Sequence, residues 1–509
     1  MTDLQLDTLE AKGLIRLATF QPELEYLFRH ALVQDTAYGS LLKQERRAIH
    51  LLVGDALEEL YPDRRGDLSA VLAMHFEQAG ETDRAIRYLT EAARFAYERF
   101  AIVEAFDLFS RAAALLPPAQ ATDDGATRRH RVEIELGRVK AGFSFLSEGK
   151  ALEILDPILA DAESLDDLRL AADVHITSAV LRQFRGEHPG TSASLRHSLD
   201  RVAQIAIELE DPLIGAIPAS IVGLFQMFTG ELREGTKKLA EAAPLLEVKR
   251  DYVGSSFALV GLAIGLARLG EFDEAEEAAR HAAKVAEDGD LIAKLDSLIG
   301  LSTVHSVRGD LESAVPIAMQ CTNLAEETGA TACVVVSNFV LGDAYMRQGK
   351  FTDAKIVFER GNEVANTIEH KTFRPSIAAY MRSNAASLGD LGPNARSFDE
   401  ALEEARSIGD RWGEASVIWQ RAETEAKTDP LTRDAEEMLA DYDAATTAFE
   451  HMGARPFVAR VLRDWGKSLR SLGRNDEGDE KLRRALPMFE ELGIEREARD
   501  LKDELAARA

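Results

Sequence analysis

The sequence predicts an all-α fold, a superhelix of stacked helical pairs preceded by a short N-terminal segment of different pattern. Three observations lead there. A six-residue turn recurs in register at Gly230-Glu-Leu-Arg-Glu-Gly235, Gly270-Glu-Phe-Asp-Glu-Ala275, Gly309-Asp-Leu-Glu-Ser-Ala314 and Gly349-Lys-Phe-Thr-Asp-Ala354. Its copies lie roughly 40 residues apart, a period typical of helical solenoids. Ala, Leu, Glu and Arg, all good helix formers, dominate the composition, and only 15 of the 509 residues are Pro.

Each position of the turn has a physical reason. The Gly adopts the left-handed conformation that ends a helix without a Cβ clash. The apolar residue two places later folds back on the helix just finished. The acidic residues beside it suit the free N–H groups and positive dipole end of the next helix. The small residue lets the two helices approach closely.

A single globule of 509 residues would exceed the usual size of one core. A solenoid escapes that limit because each repeat packs on its neighbours. The net charge of −27 argues against nucleic acid as the main ligand, since phosphate recognition needs a basic footprint. Two cysteines, Cys321 and Cys333, make no disulfide framework and are expected as small buried residues of a cytoplasmic protein. The N-terminal MTDLQLDTLEAKG lacks the apolar core of a signal peptide. The uncharged stretch 212–230 is as long as a membrane span, but it holds Pro218, Ser220, Gln226 and three glycines and ends on the repeated turn. It reads as a buried repeat helix, and no membrane partner is expected.

In chain order, residues 4–12 read as the end of a helix. Leu14-Ile-Arg-Leu17 and Glu25-Tyr-Leu-Phe28, separated by Gln21-Pro22, read as a β-hairpin. One helix follows through Ala31, Leu32, Asp35, Thr36 and Tyr38. The next, over 44–60, carries an apolar stripe of Ile49, Leu52, Val53, Ala56 and Leu57.

The stretch Phe28-Arg-His-Ala-Leu-Val-Gln-Asp-Thr-Ala-Tyr-Gly-Ser-Leu-Leu42, with Arg46-Arg47, His50 and Ala56-Leu-Glu58 after it, resembles a junction in large bacterial STAND-type signalling ATPases, including those fused to class III adenylyl/guanylyl cyclase domains. The resemblance spans residues 14–116 and is architectural beyond. In that family the junction ends a winged-helix segment, with a nucleotide-binding domain before it and tetratricopeptide-like repeats after it. The resemblance implies that residues 1–60 are a partial winged-helix and junction segment. It also implies that any ATPase or cyclase domain would lie upstream of Met1, through a larger regulator, a truncated gene or a late start in the gene model.

Residues 67–80 and 82–99 form the first helical pair, joined by the degenerate turn Gly80-Glu-Thr-Asp-Arg-Ala85. A further helix over 102–116 stops at Pro117-Pro118, closing a first repeat region at 61–118. A linker follows over 119–125, helices resume near Arg128, and a superhelix fills 126–509. Gly149-Lys-Ala-Leu and Gly186-Glu-His-Pro-Gly190 read as looser turns. Leu341-Gly-Asp-Ala-Tyr345, Gly349, Ala354, Phe358 and Gly361 match the tetratricopeptide spacing, although the repeats are longer than that family's standard 34 residues. Beyond Lys371 the turns persist at Leu388-Gly389, Thr428-Asp-Pro430 and Leu472-Gly473, with helix exits at Gly409, Gly453 and Gly493. The charged segment 495–509 suits a capping helix.

Catalytic signatures are weak. Gly230 to Lys237 has phosphate-loop glycine spacing, but Thr236-Lys237 is in reversed order and the loop follows a helix. The eleven histidines form no metal-ligand spacing, and His175, His281 and His305 lie at helical positions where a hydrogen-bonded His is usual. No Gly-x-Ser-x-Gly elbow occurs. No enzyme activity, cofactor or metal is expected within the chain.

Arg268, Arg308 and Arg347 each precede a turn Gly and form a candidate basic ladder that grips carboxylates of a peptide, with Tyr345 beside them. The alternative role is capping of helix C-termini. The leading reading is a non-catalytic interaction and sensor module of a signalling ATPase or cyclase-type regulator. It binds a protein or peptide in its concave groove, or a small-molecule effector. The alternatives are a free-standing scaffold, and the repeat arm of a transcription regulator whose DNA-binding domain lies elsewhere.

Overall fold

The computed structural model describes residues 3–19, 25–62, 65–99, 101–119, 124–143, 145–187, 192–248, 252–287, 289, 291–390, 397–428 and 435–507. The chain divides into two compact units, Met1–Thr122 and Asp123–Ala509. Most of the expected linker at 119–125 lies outside the described residues, as do Gln21-Pro22 and Asp429-Pro430.

The first unit begins with α1 (Asp3–Ala11), closed by Gly13 at φ 71° and a Leu14 N–H to Leu9 carbonyl bond of 3.0 Å. Strands β1 (Ile15–Thr19) and β2 (Glu25–Phe28) pair antiparallel, with Ile15 opposite Phe28 and Leu17 opposite Tyr26. Then come α2 (Ala31–Ser40), α3 (Lys43–Leu60), α4 (Arg65–Ala79), α5 (Thr82–Glu98) and α6 (Ile102–Leu115). Helices α3 and α4 touch where Gly54 meets Phe76; a Cβ on Gly54 would lie 2.6 Å from that ring. Phe76 stacks on Tyr88 at 5.5 Å, and Glu58 accepts bonds from Arg84, Arg87 and Tyr88. The α3 stripe is only partly covered: Val53, Ala56 and Leu57 are half-buried, whereas Ile49 and Leu52 face solvent. The helix turns its Gly54 face to Phe76 because that face allows the closest approach.

The second unit opens with α7 (Gly125–Gly142), α8 (Glu148–Leu155), α9 (Leu159–Glu163), α10 (Leu168–Phe184) and α11 (Ala193–Glu208). Helix α7 starts at Gly125 rather than near Arg128, because Asp124 caps it through the Thr127 N–H. Gly149 lies inside α8 and not in a turn, because Ser147 caps that helix through the Lys150 N–H.

Regular pairs follow. They are α12 (Pro212–Thr229) with α13 (Leu232–Val248), α14 (Tyr252–Leu269) with α15 (Phe272–Val285), and α16 (Leu291–Arg308) with α17 (Leu311–Thr328). Next come α18 (Thr331–Arg347) with α19 (Phe351–Thr367), and α20 (Arg374–Ser387) with α21 (Phe398–Ser407). The last are α22 (Arg411–Thr428) with α23 (Ala435–Met452), and α24 (Arg455–Ser471) with α25 (Asn475–Glu491), before α26 (Glu495–Ala506). This is a tetratricopeptide-like superhelix of helical pairs.

The turn signature forms one structure each time. Gly230, Gly270, Gly309 and Gly349 have φ between 75° and 91°. The residue after each Gly donates its N–H to a carbonyl five residues back, as in Glu271 to Leu266 and Lys350 to Tyr345, both 2.9 Å. That residue's own carbonyl then starts the next helix, accepting from Ala275 and Ala354 at 3.0 Å. Leu232, Phe272 and Leu311 fold back into the core, and Ala275, Ala314 and Ala354 are fully buried. Where the small residue is Gly235, its Cβ would lie 2.6 Å from the Gly223 carbonyl oxygen; Gly478 repeats the arrangement against Gly466 at 2.7 Å. These crossings bring backbone onto backbone.

Helix α12 is long and apolar enough to cross a membrane by length and composition. Here it packs against α11, α13, α14 and α22, and it buries Ile214, Ile221, Phe225 and Met227. Cys321 and Cys333 are buried and free; burial pushes the Cys321 thiol up to about 12.

The superhelix meets its own next turn five pairs later. Helix α12 packs on α22, and α14 on α24. Gly230 faces Met452, Gly270 faces Leu492 and Pro456, and Gly309 faces Ile494 and Glu497. Earlier in the unit, the Lys371 N–H reaches the Phe184 carbonyl at 3.3 Å, and His370 Nδ1 lies 3.2 Å from Glu148 Oε1. The first helices therefore surround a narrow interior.

The junctions between pairs use the same left-handed geometry, through Gly329, Gly409, Gly453 and Gly493. Two carry glutamate instead: Glu210 at φ 49° and Glu369 at φ 59°. An L-residue with a Cβ is disfavoured there by about 1–2 kcal/mol. Glu210→Gly is expected to stabilise the chain by about 1 kcal/mol, less the entropy that Gly adds to the unfolded state. A higher urea midpoint checks this, and a lower one contradicts it.

Candidate functional site

The superhelix interior holds a cavity of about 290 Å³. First helices of successive pairs build most of its wall: the end of α16, then α18, α20, α22 and α24, with Leu311 and Phe351 from the starts of α17 and α19 and with α26 on one side. The wall is partly apolar, through Met346, Phe351, Trp419 and Phe457, and partly charged. Trp419 is only 7 % exposed, and its indole N–H has no partner among the described residues.

Three arginines converge on one carboxylate. Glu497 of α26 accepts from Arg460 Nε at 2.7 Å and Arg347 Nη2 at 3.2 Å, with Arg463 Nη1 at 3.5 Å. Arg460 also donates to the Val307 carbonyl at 2.7 Å, and Arg347 to the Ser306 carbonyl. Burial opposes ionisation of Glu497, but Arg460 and Arg347, aided by Arg463, outweigh it and hold the carboxyl well below the usual range. Burial and the neighbouring Arg460 charge lower the Arg347 pKa. Arg463 is tied to Asp464 at 2.7 Å. Deeper in, Glu423 accepts from the Tyr442 hydroxyl at 2.6 Å; burial and then Asp464 raise its pKa. The cavity thus offers paired charge beside aromatic surface.

The residues singled out from sequence go to separate places. Arg347 lines the cavity. Arg268 is buried, donates to the Met227 carbonyl at 2.9 Å and lies 3.9 Å over the Trp412 ring. Burial lowers its pKa to about 10, with Asp410 opposing the shift. Arg308 pairs with Glu276 at 3.1 Å and Asp273 at 3.7 Å on α15. Tyr345 packs half-buried with Val315 and Val357 between α17, α18 and α19. Both Arg268 and Arg347 reach a carbonyl 41 residues back, at the end of the preceding first helix. They cap a neighbouring helix rather than their own.

Sequence reasoning missed Arg460, Arg463, Trp419 and Glu497. The available signal was Arg460 and Arg463, three apart on a first helix and so on one face. The stretch Gly230–Lys237 is the turn at Gly230 and Glu231 followed by the start of α13. His175 bonds Glu163 at 2.7 Å, His281 lies 2.9 Å from Glu247, and His305 lies 3.2 Å from Asp310. Among the described residues, no three His, Cys, Asp or Glu side chains form a metal-binding group.

Asp410 caps α22 through the Gly413 N–H at 2.7 Å. Burial raises its pKa to about 7 from 3.8, against the pull of that bond and of Arg268. The folded state therefore holds a proton that the unfolded chain has released. The stability this contributes is full below about pH 4 and is lost as pH rises through about 7. Asp410→Asn keeps an acceptor oxygen and removes the titration. The fall in Tm between about pH 5 and pH 8 is expected to be smaller in D410N than in the native chain, and equal falls would refute the assignment.

The tetratricopeptide repeat family model matches residues 336–367, within α18 and α19. An uncharacterised protein of Rhizobium meliloti is 25% identical over 150 residues, 30% of this chain; the chain spans 15% of that protein's length. The crystal structure of a Rap protein complexed with competence and sporulation factor has a TM-score of 0.52 at 12% identity, covering 71% of this chain and 98% of that one. The Cut9-Hcn1 hetero-tetramer of the APC/C has a TM-score of 0.47 at 12% identity, covering 92% and 94%. At these identities the Rap likeness is one of fold, and with the repeat match it makes this chain a tetratricopeptide-like helical repeat protein.

Proposed function

We propose that the chain is a non-catalytic interaction and sensor module that receives a segment of a protein or peptide in the superhelix interior. One observation carries this reading: the first helices of successive pairs converge on a cavity that joins guanidinium groups to aromatic wall. Its size lies near the lower end of ligand pockets, about 300 Å³, which suits one or two side chains of a partner. The Rap neighbour, which shares this fold and is complexed with competence and sporulation factor, supports recognition of a partner by such a superhelix. A photo-cross-linking amino acid at Met346, in the cavity, is expected to trap a partner in cells, whereas one at the outward-facing Ile356 is not. Adducts only from position 356 would sink the cavity reading.

The finer reading makes this module the repeat arm of a STAND-type ATPase or cyclase regulator, with the junction at 30–60 as the coupling element. The resemblance of residues 28–58 supports it. So does the exposed apolar surface of the junction: Leu32 is 79% exposed and Leu52 69%. A free-standing scaffold is favoured instead by Ile15, which is buried within a hairpin that closes locally. The native protein's size, read by immunoblot with an antibody to residues 270–349, separates the two. A band far larger than 55.9 kDa is expected from the regulator, and a band at 55.9 kDa from the scaffold.

A further inference from the structure

The carboxylate that fills the arginine site belongs to the last helix. Glu497 lies in the first turn of α26, which packs on α25. Its attachment is small: Ile494 just before it, Ala498 and Leu501 are buried, Leu505 is half-buried, Glu504 pairs with Arg470 at 2.9 Å, and most of its other side chains face solvent. Thirty-seven residues separate Glu497 from Arg460, and 150 separate it from Arg347. The contact therefore ties α26 to two pairs, those of α18 and α24, that are distant in sequence.

Removing α26 in thought leaves a defined chemical demand. Arg463 keeps Asp464 at 2.7 Å. Arg460 keeps the Val307 carbonyl and the Phe457 ring at 5.8 Å, and Arg347 keeps the Ser306 carbonyl and Asp343 at 3.8 Å. Arg460 would then have no carboxylate among the described residues and Arg347 only the distant Asp343, and bidentate recognition of a carboxylate is what such groups do best. Beside them lie Phe457 and Met346, and the unpartnered indole N–H of Trp419. A ligand that fits carries a carboxylate next to an apolar or aromatic side chain.

We infer that α26 is an internal ligand: Glu497 occupies the site that Arg347 and Arg460 offer to a carboxylate of an acidic peptide, and such a peptide binds by displacing α26. The inference rests on the cavity reading above and adds the ligand's chemistry and a gate. Release of α26 would be the event that reports occupancy, because the helix cannot hold the arginines and the peptide together.

The test uses the full chain and N-acetyl-Phe-Glu-Phe-Glu-amide, with the Gln-for-Glu peptide as a neutral control and glutarate as a small dicarboxylate. Calorimetry gives affinity, and hydrogen exchange follows residues 495–506. The acidic peptide is expected to bind Glu497→Gln at least tenfold tighter than the native chain, with the gain lost in E497Q/R460Q and absent for the neutral peptide. Saturating peptide is expected to speed exchange across 495–506 in the native chain. Equal affinity for native and E497Q chains, no binding to E497Q, or unchanged exchange at saturation overturns the inference. If E497Q does not fold, exchange in the native chain decides alone: a rise with up to millimolar acidic peptide supports displacement, and no rise overturns it. The full gain with glutarate keeps the displacement and assigns a small dicarboxylate as its source. Adducts at Met346 with unchanged exchange would keep the cavity reading while sinking this one, and adducts only at position 356 would sink both.

Discussion

The left-handed glycine turn is the constraint from which the rest follows. It leaves one residue between Gly and the new helix, so the second helix must fold back at a nearly fixed angle. A fixed angle within each pair, and the same turn geometry between pairs, gives a constant rotation per repeat. That rotation brings α12 to α22 and α14 to α24. The interior and its cavity result from this return. Small residues at the crossings, Gly235 on Gly223 and Gly478 on Gly466, keep each step tight enough for the return to make contact.

Electrostatics then decides what the interior can do. The chain carries −27 overall, yet its axis concentrates Arg347, Arg460 and Arg463 around one glutamate. A buried guanidinium is tolerable only with a partner, so the cluster is stable while a carboxylate is present. The outer acidity keeps an extended surface dispersed, while the inner arginines are paired locally. Each region follows from local pairing, and net charge alone describes neither.

The fold was largely legible because its determinants are local. Gly270, Phe272 and Ala275 lie within six residues, and their chemistry fixes a turn without knowledge of anything distant. The hairpin at 15–28 and the helix ends at Gly409, Gly453 and Gly493 were readable on the same grounds. Gly149 misled because a Gly in a first helical turn, under a Ser147 cap, looks like a breaker. The site was mostly illegible. Arg347 was found through its place before a turn, but its partner Glu497 lies 150 residues away and meets it only because the superhelix curls back on itself. Arg268 shares the same sequence position and yet meets Trp412, because the next turn presents a different residue there.

The bond from Arg460 to the Val307 carbonyl spans 153 residues, and it changes what kind of object this repeat array is. An open solenoid tolerates gain or loss of a repeat, since each unit knows only its neighbours. Here deletion of one pair would slide every later helix by one place, setting Arg460 against the wrong carbonyl and Glu497 against the wrong arginine. The number of repeats is thus counted by the protein's own interior. In folding the array resembles a closed domain more than a chain of beads, with late contacts of high sequence separation that only the completed turn can make.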